Sequence, residues 1–502
     1  MKSFKIDNLY TLIHTMTPTE KRFFKRFLKS RKQEDNDYLC LFDTINSMDA
    51  FNKDELFQRI SKFKFHRHVE VKKHHLFQLI LDSLRQFRNN RLNLHNAFVE
   101  IDILIEKGLY HLALKRIKIS IETASLNDQF TLIFQLLEKE LLLARFIPTI
   151  NVRSILKDQQ QCLIKSQNLL EYLNLFNDLK QIIQENSFVR NLIQLNKFKR
   201  FSKNKLLLHV TEAKSLSAQL YYHHANHLYN ATIGEKTNCW KSAKKMHQLI
   251  RNHPENTGSF CRLYLRSVTA RFSSLILNGY DRKEFTELVN ELKGKIYYIT
   301  DPENAKIAQA ILYEFQLIAF LKAMEYEKAL SIVKSIKEFL KNNKVLADGN
   351  AIKYLRFDVA KTFFITSNYM EAKRWFLKID IVGAQSSGND IYAFSRILSL
   401  LCDIFLNETE NVRYNANYLR KQLSKLKALH DFESFLMSRI SNRFIHWHLL
   451  NKAQKKRLLE EFRTEVTQQL SNKWKANTIL YFDFEWWIDL QLRQLDSARN
   501  IF

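Results

Sequence analysis

Glycine and proline are scarce in this chain of 502 residues, which has only 8 glycines and 4 prolines. Average usage would give roughly 35 glycines and 25 prolines. Folds rich in tight turns need glycine for positive φ, and phosphate-binding loops need it for close approach of the backbone. The scarcity therefore argues against nucleotide-binding folds and predicts an almost wholly α-helical chain with short connections.

Cysteine is also rare, and none of the five cysteines forms a C-x-x-C pair: Cys40, Cys162, Cys239, Cys261 and Cys402. An odd number of scattered cysteines predicts free thiols in a reducing compartment. No stretch approaches 18 uninterrupted apolar residues, and the start "MKSFKIDNLYTLIHTMTPTEK" has no signal-peptide pattern. We therefore expect a cytoplasmic protein without a membrane span.

Basic residues exceed acidic ones, and the formal net charge is +26. Such a balance suggests nucleic acid, an anionic membrane or an acidic protein as a partner. The cations are spread along the chain, since the first hundred residues hold 19 Lys and Arg against 12 Asp and Glu. This spread favours general basicity over a dedicated polyanion surface.

The stretch "TPTEKRFFKRFLKSRK", residues 17–32, combines many cations with three phenylalanines. Thr17 and Glu20 form the pattern of a capping box, and Pro18 suits the first helical position. Four apolar side chains fall on one helical face: Phe23, Phe24, Phe27 and Leu28. The stretch therefore predicts a half-buried first helix of an N-terminal helical unit over residues 1–94.

From about residue 95 the pattern changes to pairs of helices. A turn and an aromatic residue precede an alanine near the start of the second helix, as in "EKGLYHLALKRI", "KAMEYEKALSIV" and "TSNYMEAKRWF". Alanine allows two antiparallel helices to approach closely, and large residues fill the gap to the next pair. The predicted packing residues are Ala113, Phe320, Tyr326, Ala329, Val333, Phe363, Tyr369, Ala372 and Phe376.

This pairing resembles the tetratricopeptide repeat (TPR). The spacing from Ala329 to Ala372 is 43 residues, longer than the 34 residues of that repeat. We therefore predict an all-α fold in which the N-terminal unit is followed by an irregular TPR-like α-solenoid over residues 95–465.

Four segments carry a further resemblance: "TPTEKRFFKRFLKS", "YLCLFDTI", "LFQLILDSLRQF" and "IDILIEKGLYHLALKRI". They resemble the N-terminal half of a family of large TPR-like helical proteins from Bacteroidota, over roughly residues 8–146. The resemblance implies a helical fold and a cytoplasmic bacterial setting. It implies no catalytic or ligand-binding residue for this chain.

The last predicted domain, residues 466–502, contains the aromatic run "NTILYFDFEWWIDLQL". Solenoids need capping elements at their ends, so the run predicts a capping helix docked on the last pair. The alternative is an exposed aromatic patch that binds a partner.

Few residue patterns suggest chemistry. His223 and His227 stand four apart, as zinc ligands do, but no third ligand follows them, and "HRHVEVKKHH" at 66–75 contains repelling lysines. Asp301, Glu303, Glu408 and Glu410 occupy turn or cap positions. No nucleophile or phosphate-loop motif occurs. We predict no metal site, no cofactor, no small-molecule substrate and no enzymatic activity.

The segment "NKFKRFSKNK", residues 196–205, is the best candidate for polyanion or acidic-partner contact. Its cations are Lys197, Lys199, Arg200, Lys203 and Lys205. Phe198 and Phe201 between them stack on bases in one interpretation and pack into the core in the other.

The patterns together predict a non-catalytic scaffold or adaptor that presents a concave solenoid surface to a peptide or helix of a protein partner. The alternative is a nucleic-acid-binding or regulatory protein that uses a basic face.

Overall fold

The structure, a computed structural model, describes residues 8–29, 35–48, 51–60, 69–88, 94–186, 189, 192–253, 261–279, 281–299, 301–343, 349–379, 388–426, 429–472 and 475–497. Within these residues the chain forms 24 α-helices and no strand. The all-α, solenoid-like fold predicted from the sequence is confirmed.

The helices follow one another with short connections. The first nine are α1 Asn8–Thr15, α2 Pro18–Lys29, α3 Asp35–Asn46, α4 Lys53–Ile60, α5 Val69–Arg88, α6 Leu94–Glu106, α7 Tyr110–Leu126, α8 Phe130–Leu143 and α9 Val152–Asn186. The next seven are α10 Leu192–Ser202, α11 Lys205–Leu208, α12 Leu216–Ile233, α13 Lys236–Arg251, α14 Cys261–Leu277, α15 Arg282–Lys295 and α16 Pro302–Lys322. The last eight are α17 Tyr326–Asn342, α18 Gly349–Ile365, α19 Tyr369–Leu377, α20 Gly388–Phe405, α21 Val412–Lys425, α22 Asp431–Asn442, α23 Lys452–Leu470 and α24 Phe484–Ser497.

The chain groups into two compact units. The first contains Met1–Ala124 with Leu132–Lys157, and the second contains Ser125–Thr131 with Asp158–Phe502. This grouping by packing falls elsewhere along the chain than the division at 94/95 and 465/466, which stays a prediction about domains.

The capping box of α2 is present in the first unit. The backbone N–H of Thr17 donates to Glu20 Oε2 (2.8 Å), and the N–H of Glu20 donates to Thr17 Oγ1 (3.3 Å). Phe24, Phe27 and Leu28 are buried in the core that α1–α5 share. The opening stretch is therefore a packed helix, because its apolar face needs the neighbouring helices to leave water.

The second unit repeats one helix-pair turn. The pairs are α12/α13, α14/α15, α16/α17, α18/α19 and α20/α21, and the first helix of each contacts the first helix of the next. Left-handed residues recur every 40 to 45 positions between the two helices of a pair: Gly234, Gly279, Met324, Ser367 and Asn407. Each ends its first helix, and the recurrence confirms a repeat in the backbone itself.

The hydrogen bonds of this turn explain one predicted spacing. Glu325 N–H donates to the carbonyl of Phe320, and Asn368 N–H to that of Phe363, both at 2.8 Å. These are the six-to-one bonds of a Schellman C-cap, which the left-handed residue between the bonded groups makes possible. Phe320 and Phe363 thus occupy the same position of the helix end in two successive pairs.

The predicted packing residues lie at helix contacts. Ala113, Ala329 and Ala372 have no exposed surface, each in the second helix of its pair. The larger members lie in or against a core of the second unit: Val333, Phe363 and Phe376 are buried, and Phe320, Tyr326 and Tyr369 are partly buried. Small residues at these positions allow close contact of the helices, as the sequence pattern implied.

The C-terminal segment, residues 475–497, runs along the first helices of the second unit. Asn477 Nδ2 donates to the carbonyl of Ala231 on α12 (2.5 Å), and Tyr481 OH donates to Asp390 on α20 (2.9 Å). Helix α24 packs on α23 and buries Trp487 in the core. The segment therefore covers more than the last pair. The alternative of an exposed aromatic patch is wrong for its buried residues Tyr481, Phe482, Phe484 and Trp487.

None of the helices in the described part of the chain is both long enough and apolar enough to cross a membrane.

Candidate functional site

The basic segment 196–205 lies on α10 and at the start of α11. Phe198 and Phe201 are buried in a core of the second unit, so neither ring is available to stack on a base. Arg200 lies 4.0 Å from Asp178, and Lys205 lies 3.5 Å from Glu212. The segment's other cations are Lys197 and Lys199 on α10 and Lys203, which follows the end of that helix.

A cleft of about 380 Å³, lined by both polar and apolar side chains, adjoins this segment between α10–α11 and α12–α13. Its lining holds Lys241 and Lys245, which stand four apart on α13, and no carboxylate. Neither lysine forms an ion pair within the described part of the chain. Burial and the charge of Lys245 lower the pKa of His223, which also lines the cleft, to about 4. The cleft therefore has a positive potential at neutral pH.

The two histidines that stand four apart have different surroundings: His223 lines the cleft, and His227 is buried. His227 is buried with its Nδ1 3.3 Å from both the carbonyl oxygen and the Sγ of Cys239. Burial lowers the pKa of His227 to about 4 and raises that of Cys239 to about 12, so both groups are neutral at pH 7. In the second cluster, His66 and His68 lie outside the described residues, and His74 and His75 are exposed. No group of three metal-ligating side chains occurs among the residues searched.

One buried network has the residue types of a hydrolase triad. His247 Nδ1 lies 3.1 Å from Ser267 Oγ, and its Nε2 lies 3.3 Å from Glu291 Oε2. Burial raises the pKa of Glu291, but the hydrogen bond from His247 and nearby cations outweigh it and hold this pKa at about 2. Ser267 has no exposed surface and donates to the carbonyl of Tyr264 (2.7 Å). Since no substrate can reach this hydroxyl, the network links α13, α14 and α15 structurally.

One carboxylate of each candidate acid pair has a structural contact. Asp301 accepts from the backbone N–H of Asn304 (3.0 Å) and caps α16. Glu408 forms an ion pair with Lys373 (2.5 Å). These contacts match the turn and cap positions that the sequence predicted for these carboxylates.

Large apolar side chains are exposed on α6–α8 of the first unit, which we call the α6–α8 apolar surface: Ile103, Leu109, Leu112, Leu142 and Phe146. Each is between 41% and 54% exposed. The ring of Phe146 stacks on Tyr110 at 4.2 Å and brings the end of α8 against the start of α7. Exposed apolar side chains of this size, where they adjoin one another on a surface, are typical of protein–protein interaction sites.

Sequence reasoning missed both surfaces. Lys241 and Lys245 stand four apart in "WKSAKKMHQLI", and Leu109 and Leu112 stand three apart at the start of α7. Helical spacing places each pair on one face. The sequence does not show whether such a face is solvated, buried in a core or part of a binding surface. That depends on which other helices lie beside it.

No protein-family model, curated protein or solved structure matches this chain.

Proposed function

We propose that this protein is a non-catalytic protein–protein interaction scaffold. The observation that carries the proposal is the α6–α8 apolar surface of the first unit, where five large apolar side chains are 41% to 54% exposed. Burying them against a partner releases water from apolar area, which is the main driving force of association.

The proposed partner element is an amphipathic helix or extended apolar peptide. Ile103 and Leu109 lie on either side of the α6–α7 turn, which the bond from Leu109 N–H to the carbonyl of Leu104 closes (2.8 Å). Tyr110 stands two residues before Leu112, and its ring stacks on that of Phe146. This stack extends the apolar surface from α7 toward the end of α8. Grooves between helices commonly bind the apolar face of a partner helix.

Contacts within the chain argue against a partner on the stacked first helices of the second unit. The sequence favoured a concave solenoid surface as the binding site, but residues 477–483 of the chain itself contact α12, α16 and α20. The α6–α8 apolar surface has no such segment among the contacts described. We therefore place the partner there.

The proposal also includes a cytoplasmic location and membership of the Bacteroidota family that the sequence resembles. The five cysteines are free thiols, four of them buried, which agrees with a reducing compartment.

Affinity capture with matched variants tests the scaffold function. We expect the tagged chain to retain specific proteins from its own cells, and the double variant Ile103→Asp with Leu112→Asp to lose them. Both side chains are about half exposed, so the charges stay hydrated and the fold is retained. Mass spectrometry of the captured proteins is the measurement.

The control variant is Tyr414→Asp with Leu449→Asp, which changes two exposed side chains of the second unit. It should retain the same proteins as the parent. If both double variants capture the parent's set, or if the parent captures none, the proposed surface does not bind a partner.

A second candidate function is polyanion binding at the cleft beside the basic segment. The observation that favours it is a lining with Lys241 and Lys245, several amide and hydroxyl groups and no carboxylate. Phosphate contacts give binding that is salt-sensitive and indifferent to base sequence. The buried rings of Phe198 and Phe201 leave the cations to supply this binding.

Retention on an RNA column tests this candidate. We expect retention at low salt that weakens in Lys241→Glu with Lys245→Glu, and in Lys199→Glu with Arg200→Glu. The control is Lys341→Glu with Lys378→Glu, which makes the same change of charge away from the cleft. Absence of retention at low salt, or equal loss in the control, would remove this candidate.

A further inference from the structure

A cavity of about 180 Å³ lies between the first helices of the second unit and the C-terminal segment. Helices α14, α16 and α18 form its floor, through residues such as Ile276, Leu317 and Ile365. Residues 479–483 and Trp486 form its other wall. Because the chain folds back on itself here, the cavity is part of the tertiary structure and has no local sequence motif.

The walls are mainly apolar. Isoleucine, leucine and aromatic side chains supply most of the lining, and Gly279 leaves open space where a side chain would stand. An engineered apolar cavity of about 150 Å³ stays dry and binds benzene. A cavity of about 180 Å³ therefore has room for one substituted benzene ring.

One polar group in the lining has an unused acceptor. Asp358 is only 4% exposed, and its Oδ1 lies 2.5 Å from Lys361 Nζ, while its Oδ2 has no hydrogen-bond partner. A buried acceptor without a donor is costly, and such a group in a native structure calls for an explanation. A ligand that donates one hydrogen bond would supply the missing partner.

The lining also contains a second ion pair, between Lys322 and Asp483. Lys322 Nζ lies 2.6 Å from Asp483 Oδ2 and 4.6 Å from the centre of the Trp486 ring. Each carboxylate of the lining is thus matched by one ammonium, so the lining has no net charge to attract an ionised ligand. Burial raises the pKa of Asp358 and raises that of its neighbour Glu314 to about 8, which agrees with poor solvation of this region.

We propose that this cavity binds a small, neutral, apolar molecule of substituted-benzene size that carries one hydroxyl donor. The ring packs among Leu317, Leu321 and Leu480, and the hydroxyl donates to Asp358 Oδ2. A carboxylate in place of the hydroxyl offers no donor and repels Asp358. This inference is independent of the proposed scaffold function, because the cavity and the α6–α8 apolar surface share no residue.

Binding stabilises the docked C-terminal segment. The ligand contacts both the first helices and residues 479–483, so it binds the folded second unit and has no site in the unfolded chain. Stability then rises with free ligand concentration by mass action. The ligand thus contacts both the C-terminal segment and helices α14, α16 and α18, and it stabilises their association.

Three probes of one shape test the proposal: benzyl alcohol, toluene and benzoate. We expect benzyl alcohol to raise the thermal midpoint of the second unit and to change the fluorescence of Trp486, which lines the cavity. Its Kd should be roughly tenfold lower than that of toluene, since one hydrogen bond contributes about that factor. Benzoate should produce neither effect.

Paired variants locate the binding. Ile318→Phe enlarges a side chain of the lining and should abolish the effect of benzyl alcohol. Ile332→Phe makes the same change at a half-buried position of α17 that does not line the cavity, and should leave binding unchanged. Equal binding of the three probes by the parent chain, or no shift with benzyl alcohol, overturns the proposal. Unchanged binding by a folded Ile318→Phe chain also overturns it.

Discussion

Replacing Trp487 with alanine is expected to lower the free energy of unfolding of the second unit by about 3–5 kcal/mol. Trp487 has no exposed surface. Its ring lies 5.6 Å from that of Phe364 on α18 and 6.2 Å from that of Phe405 on α20. The indole Nε1 has no hydrogen-bond partner, so the expected loss comes from packing. The change would leave a cavity where α18 and α20 meet the C-terminal segment.

The neighbouring Trp486 is the matched control. It is half-buried, and Lys322 lies over its ring at 4.6 Å. Trp486→Ala removes this contact and the partial packing of the ring against the core, and is expected to cost about 1–2 kcal/mol, less than Trp487→Ala. Calorimetry and urea unfolding followed by circular dichroism measure both variants. Equal losses in the two variants would contradict the placement of Trp487 at the centre of the core.

Replacing Phe27 with aspartate is expected to destabilise the first unit by more than about 4 kcal/mol. Phe27 is 8% exposed and lies in the core that α1–α5 share, beside Phe24 and Leu28 on the same face of α2. A carboxylate at this position would lose much of its hydration among the apolar side chains of this core. The melting temperature of the first unit is the measurement.

Lys25→Glu changes charge on the same helix without changing the core. Lys25 lies 2.7 Å from Asp43, and both side chains are more than 40% exposed. Loss of an exposed ion pair costs at most about 1 kcal/mol, and solvent screens the new repulsion. A Phe27→Asp chain that melts with the parent, or a Lys25→Glu chain that melts far below it, would show that the wrong face of α2 had been assigned to the core.

Local patterns predicted the first helix well. The capping box of Thr17 and Glu20 depends on residues three apart, and the apolar face of α2 depends on residues three and four apart. Both are properties of a single helix. The structure places the basic residues of α2 around its buried face.

The helix pairs were only partly predictable. Ala329 and Ala372 marked two second helices, since alanine at a close contact leaves a sequence signal. The turns before them left a weaker one, because the left-handed positions of three pairs are filled by Met324, Ser367 and Asn407 instead of glycine. A non-glycine residue in this conformation costs about 1 kcal/mol, which the packing of each pair offsets. Scarce glycine therefore correctly predicted helices but concealed the regularity of their connections.

The candidate sites were harder to predict from the sequence than the helix pairs, because they depend on contacts between residues far apart in the chain. The sequence left Phe198 and Phe201 compatible with either bases or a core, and the packing of α12 against them decides for the core. Ser267, His247 and Glu291 approach one another only because α13, α14 and α15 pack together, and the same packing makes the serine inaccessible. The spacing of residues along the chain does not predict contacts between side chains on different helices.

Composition and helical periodicity were enough to establish the all-α fold, the cap and core face of α2, and the close-contact alanines, because these features depend on neighbours within a few turns of one helix. The course of residues 475–497 along α12 to α20, the cavity beside Asp358 and the exposure of the α6–α8 apolar surface depended on long-range packing. An apolar residue has the same local pattern whether another helix covers it or water does. Its burial therefore depends on which distant segment of the chain packs against it.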